Sequence, residues 1–151
     1  MICKEFFDHI RPLMNYTVIE HTWLKEKSEP ICKKYKLKLS EYLVLLLLHV
    51  NSDVKTAKDI EKFSDMKRAN ISILVEILCK KGFLKQELIE NDRRMKELIM
   101  TDACKPLMDE TDELLNFLVS NVFKNIEKKD FEICERVFSQ MYLNLIETTK
   151  K

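Results

Sequence analysis

The chain has 151 residues, 46% of them hydrophobic and 34% charged, with one glycine, three prolines and a formal charge of +1. That length suits one domain, with or without an appended dimerisation element, and a core that needs no disulfide or metal staple. A single glycine, Gly82, excludes glycine-rich phosphate loops, dinucleotide-binding turns and many-turned β-sandwiches, and predicts a mostly helical chain.

Residues 3–36 read as helix, because Phe6, Ile10, Leu13, Thr17 or Val18, and Trp23 or Leu24 recur at helical spacing. Ser28 can cap a second helix with Pro30 in its first turn, so a kink or break is expected near 28–30. Ser40 is the expected cap of a helix over 41–50, whose centre Leu43–Leu48 is apolar all round and must be surrounded by protein. That run is far too short to span a membrane. Asn51, Ser52 and Asp53 end it, and Val54-Lys55 reads as a short strand.

Thr56 followed by Asp59 resembles a capping box and starts a short helix to about Phe63. Ser64-Asp65-Met66 is a tight turn before a helix over about 67–81 with an inward stripe of Ile71, Leu74, Val75 and Leu78. Gly82 follows as the residue at which the chain turns left-handed. Two short helices joined by three residues form a helix-turn-helix pattern. Segments 83–90 and 95–101 read as strands around the polar turn Glu90-Asn91-Asp92-Arg93-Arg94, a charged-tipped hairpin directly after the helix pair. The combination is a winged helix. Thr101 and Asp102 cap a long helix to about Ile126, and Lys128-Lys129-Asp130 breaks it. A last helix over about 131–147 is expected to bury Cys134, Val137, Phe138, Met141, Tyr142 and Leu145. The fold class is mainly α with a small β-hairpin wing. The division is a helical dimerisation region, 1–36 and 102–151, around a winged-helix domain, 37–101.

Basic and acidic residues number 8 and 6 over 1–50, 11 and 9 over 51–101, and 7 and 10 over 102–151. The mildly basic middle is a weak pointer to a polyanion, and a mixed solvated surface explains it equally well. The helix over 67–81 can lie in a major groove and the hairpin tip in the adjacent minor groove of double-stranded DNA. The candidate DNA contacts are Lys67, Arg68, Asn70, Ser72, Ile73, Arg93, Arg94 and Lys96. Arg68 and Asn70 suit base edges, Ser72 a base or a phosphate, and Ile73 a thymine methyl or a neighbouring helix.

The five cysteines, at 3, 32, 79, 104 and 134, contain no C-x-x-C spacing. With Lys4, Glu5 and Asp8 directly after Met1, no signal peptide is expected, and reduced thiols in the cytoplasm are. Cys104 sits near a helix start, where the dipole lowers a thiol pKa, so it is a candidate redox site with Cys3; Cys79 and Cys134 read as core filling. His9, His21 and His49 are isolated, so no metal site is expected. No catalytic spacing or cofactor motif appears, and no enzymatic role is expected.

The chain resembles the MarR (multiple-antibiotic-resistance regulator) family of winged-helix transcription regulators, including its SarA-like branch, over about 35–147. The carriers are Leu37-Lys38-Leu39-Ser40-Glu41-Tyr42-Leu43-Val44-Leu45, the run Ile71 to Leu84 through Lys80-Lys81-Gly82, Asp92-Arg93-Arg94 matching the family's D-x-R, Leu98-Ile99-Met100-Thr101, and the closing helix from Lys129 to Leu145. It departs at Ile73, where a polar or basic residue is usual, at Cys104, where glycine is usual, and in a turn from Phe63 to Ile71 one residue longer. The resemblance implies a homodimer built from the first and last helices, a palindromic operator and a repressor. It implies Arg94 as the minor-groove arginine and Asp92 as the carboxylate supporting the wing tip. It also implies release by an oxidant or a small aromatic effector, in a pocket for which Tyr16, Trp23, Tyr35 and Tyr42 are candidates. The alternative is a winged-helix protein-interaction module without DNA binding, suggested by Ile73 and Glu76 on the would-be reading face.

Overall fold

The computed structural model describes residues 2–89 and 92–149, with side chains at 11–13, 15–89 and 95–149. The elements are α1 (Ile2–Lys34), α2 (Leu39–Val50), α3 (Ala57–Phe63), α4 (Arg68–Lys80), β1 (Leu84–Ile89), β2 (Asp92–Met100), a 3-10 turn (Asp102–Cys104), α5 (Lys105–Val122) and α6 (Lys128–Thr149). The strands pair antiparallel in one two-stranded sheet, so the fold is mainly helical with a hairpin wing. The chain divides into two compact units, Met1–Leu114 and Leu115–Lys151.

In the first unit, α1 runs unbroken through Pro12 and Pro30, and the break expected at 28–30 does not occur. Ser28 caps nothing: it is fully buried and its hydroxyl donates to the Lys25 carbonyl at 3.4 Å. With Ile31 and Cys32 also buried, this turn of α1 is anchored by packing, which offsets the roughly 3 kcal/mol of an interior proline. α1 ends in a Schellman motif: Lys36 takes φ +55°, and Leu37 N–H donates to the Cys32 carbonyl at 2.8 Å.

α2 starts two residues before the expected position. Lys38, not Ser40, precedes it, and its N–H donates to Glu41 Oε2 at 3.0 Å. Tyr42, Val44 and Leu45 are fully buried and form the centre of the core with Ile60, Ile71, Leu78 and Leu107. The Thr56–Asp59 capping box starts α3 as expected. Val54-Lys55 is not a strand; α3 begins too soon for a ladder to grow. A single bridge pairs Thr56 with Glu97, and Leu98 N–H donates to the Lys55 carbonyl at 2.7 Å.

Gly82, at φ +83°, closes α4 in a second Schellman motif, with Phe83 N–H donating to the Leu78 carbonyl at 3.0 Å. The wing register runs from Leu84 opposite Met100 to Leu88 opposite Lys96, then shifts so that Ile89 faces Asp92. β2 therefore begins inside the segment 90–94 expected to be turn. The Thr101 hydroxyl donates to the Gly82 carbonyl rather than capping a helix, and a 3-10 turn precedes α5.

In the second unit, α5 stops at Val122 instead of near 126. Asn125 takes φ +64° in the connection, and Lys128-Lys129-Asp130 forms the first turn of α6 rather than a break. Asp130 there complements the helix dipole. The expected burial on α6 fails within one chain: Cys134, Val137, Phe138, Met141, Tyr142 and Leu145 are all exposed. Nothing in a two-helix unit is left to cover them.

Candidate nucleic-acid interface

The turn between α3 and α4 is closed by Ser64, whose hydroxyl donates to the Ile60 carbonyl at 2.6 Å and accepts from Met66 N–H at 3.3 Å. α4 buries Ile71, Val75 and Leu78, with Leu74 half-buried. That packing turns the opposite face outward, so Lys67, Arg68, Ala69, Asn70, Ser72, Ile73, Glu76 and Lys80 are all exposed. The Ser72 hydroxyl donates to the Arg68 carbonyl at 3.1 Å, and Arg68 Nη1 lies 4.0 Å from Glu61 Oε2. Ile73 is 56% exposed on this otherwise polar face. Glu76 is paired with Lys80 at 2.6 Å, and the hydrogen bond from that ammonium holds its carboxyl below the usual range. Its charge is thus locally balanced, which weakens the objection it raised to an anionic partner.

On the wing, Lys96 is exposed on β2. Arg93, Arg94 and Asp92 lie on β2 by backbone, but their side chains fall outside the described residues. A cleft between α3, α4 and the wing also gathers Lys58 and Gln86, two residues absent from the sequence-based candidates. Neither sits in a motif, and only folding brings α3 and β1 together beside α4.

The four aromatic candidates are not gathered in one pocket. Tyr42 is fully buried and donates to Thr111 Oγ1 at 3.2 Å, and burial raises its pKa. Tyr35 donates to Glu110 Oε1 at 2.8 Å, and Lys34 Nζ donates to the same oxygen. Tyr16 is exposed and Trp23 half-buried on α1. A cavity near the α1–α2 corner is lined by Lys25, Glu29, Cys32, Leu37 and Leu39, with none of the four aromatics among its walls.

The cysteines correct the expectations placed on them. Cys104 is 2% exposed, and its thiol lies 3.1 Å from the Phe83 carbonyl. Desolvation pushes its pKa up to about 11, the reverse of the dipole effect expected. Cys32 is buried, and its pKa is likewise raised by burial. Cys134 is exposed rather than core filling, Cys79 is half-buried, and the Cys3 side chain lies outside the described residues. His49 Nε2 lies 2.7 Å from Asp112 Oδ1. Among the described residues no group of three His, Cys, Asp or Glu could hold a metal.

A short helix, a closed turn, a helix with an exposed polar face and an adjoining β-hairpin make this a winged helix-turn-helix protein. Residues 35–95 match the model of the MarR family. The fold is shared with solved MarR-type structures over nearly its full length. A MarR family transcriptional regulator from Silicibacter pomeroyi is 19% identical, with 87% of each chain covered and a TM-score of 0.70. AbfR of Staphylococcus epidermidis is 20% identical over 97% of this chain and 99% of its own, at a TM-score of 0.69. MepR of S. aureus in complex with DNA is 18% identical over 86% of this chain and 96% of its own, at a TM-score of 0.56.

Proposed function

We propose that the protein is a transcription regulator that binds a palindromic operator in duplex DNA as a homodimer and acts there as a repressor. The observation that carries this reading is α4 itself. Its buried stripe of Ile71, Val75 and Leu78 holds Arg68, Asn70 and Ser72 on an exposed face beside the wing. The DNA complex of the structurally similar MepR supports it. Dimerisation is supported by the exposed apolar side chains of α6, among them Phe138, Met141 and Leu145. Among the described residues no helix is long and apolar enough to cross a membrane, and the proposed role places the protein in the cytoplasm with its DNA.

Release by a small aromatic molecule or an oxidant completes the reading. With Cys32 and Cys104 buried and Cys79 half-buried, Cys134 is the exposed thiol among the described residues. The test is binding to duplex DNA as salt is varied. A DNA reader loses affinity steeply with rising salt. Absence of binding at low salt would favour the second reading, a protein-interaction module, for which the exposure of Ile73 is the specific observation. An aromatic carboxylate or peroxide that lowers operator affinity would identify the signal.

A further inference from the structure

The cleft between α3, α4 and the wing has a volume of about 240 Å³. Lys58 from α3, Arg68 from α4 and Lys96 from β2 line it, with Gln86 of β1 and Ser72 of α4 between them and buried Leu98 among its walls. No carboxylate is among the described lining residues. Among the described residues no acidic group lies within 4.0 Å of Lys58 or Lys96, and the one carboxylate paired with Arg68 is at that limit, 4.0 Å away. Nearby Asp59 is engaged elsewhere, accepting the N–H groups of Lys55 and Thr56 and the Thr56 hydroxyl. Three cations from three elements therefore converge on one recess, and among the described residues only Arg68 has a carboxylate in reach.

A recess of this kind suits a phosphodiester. The major and minor grooves of a duplex are separated by a sugar–phosphate strand. If α4 lies in the major groove and the wing tip in the adjacent minor groove, that strand must pass between α4 and the wing, over this cleft. We propose that the cleft is a clamp for a backbone phosphate of duplex DNA. Lys58, Arg68 and Lys96 supply its charge and the Gln86 amide a neutral donor. The proposal rests on the DNA-binding reading and changes one part of it: Arg68 grips phosphate and does not read a base edge. Asn70, one residue from the N-cap side of Ile71 and not part of the cleft, keeps the base-reading role.

The test is the salt dependence of binding to a mixed-sequence duplex. Each of Lys58→Ala, Arg68→Ala and Lys96→Ala is expected to flatten the slope of log affinity against log salt by about one unit. Affinity for all sequences should fall by the same factor. Gln86→Ala lowers affinity with the slope kept, Lys58→Arg restores the wild-type slope, and Lys27→Ala on α1 leaves it unchanged. Unaltered slopes in the three variants beside a steep wild-type slope overturn the clamp and leave the DNA reading standing. So does a changed base preference in Arg68→Ala, or equal flattening by Lys27→Ala. A wild-type protein without salt-dependent binding overturns both together.

Discussion

Lys81 Nζ lies 2.6 Å from Glu41 Oε2, a carboxylate only 1% exposed, and also donates to the Lys36 carbonyl at 2.7 Å. Lys81 is the C-cap residue of α4, directly before Gly82, Lys36 closes α1 and Glu41 sits in the first turn of α2. One ammonium therefore ties the end of α4 to the α1–α2 corner. Lys81→Met strands the Glu41 charge in the core and is expected to cost about 3 kcal/mol, the low end for a buried pair because Lys81 is partly exposed. Glu41→Leu combined with Lys81→Met should recover most of it. Urea unfolding of the three proteins checks this, and a double variant as unstable as the single one would refute it.

The apolar face of α6 predicts the oligomeric state. Val137, Phe138, Met141 and Leu145 are between 45% and 65% exposed in a single chain. Light scattering at micromolar concentration should give the mass of a dimer, and Phe138→Glu with Met141→Glu should give a monomer or an unfolded chain. A wild-type monomer mass would count against the homodimer.

The proposed DNA-binding role gives base reading to Asn70 and minor-groove contact to Arg94. Asn70→Ala should relax discrimination among operator sequences, by about 1–3 kcal/mol at one base position. Arg94→Ala should weaken binding most where A·T-rich flanks narrow the minor groove, and Asp92→Ala should do so indirectly. Affinities measured at one salt concentration over a base-substitution series decide each case.

Cys104 sets an alkaline limit. Its folded-state pKa of about 11 lies above the ordinary value of 9.0 because the site is desolvated. The folded state then holds the thiol proton where the unfolded chain loses it. Stability from this group is complete below pH 9 and falls by about 2–3 kcal/mol as pH rises to 11. Tyr42, also raised by burial, adds to the fall, so the comparison is between wild type and Cys104→Ala, which should lose the smaller amount. At pH 7 neither Cys104 nor Cys32 should alkylate until the protein unfolds.

At the acid end, Asp59 behaves oppositely. Burial alone would raise its carboxyl, but hydrogen bonds from the Thr56 hydroxyl and from the N–H groups of Lys55 and Thr56 outweigh burial and hold it below 3.8. The capping contribution is therefore whole above that value and lost as pH falls through the folded-state pKa. Asp59→Ala should cost about 1 kcal/mol near neutral pH and less in acid, as measured by thermal unfolding across that range.

Much of the winged helix is legible because its signals are local. The Thr56–Asp59 spacing, the Ile71–Leu78 stripe and Gly82 act within a few residues of where they stand, through one hydrogen bond, one helical period and one left-handed φ. The same locality misled elsewhere. Ser28 and Pro30 look like a helix start, yet Ser28 is drawn into the core and α1 continues. Ser40 looks like a cap, yet Glu41 reaches back to the Lys38 N–H and moves the start.

Lys36 in a left-handed conformation carries no sequence mark, since lysine has no preference for it; the Schellman bonds around it impose it. Distance in sequence from a helix start predicts a lowered Cys104 pKa, whereas burial beside Phe83 raises it.

Composition, periodicity and capping thus settle the class of elements, their order and the outward face of α4, because each rests on contacts within one or two helical turns. The convergence of Lys58, Arg68 and Lys96 on one cleft, and of Glu41 and Lys81 on one ion pair beside the Lys36 carbonyl, rests on groups from separate parts of the chain. Those distances exist only once the helices and the wing pack together, and no spacing along the chain encodes them.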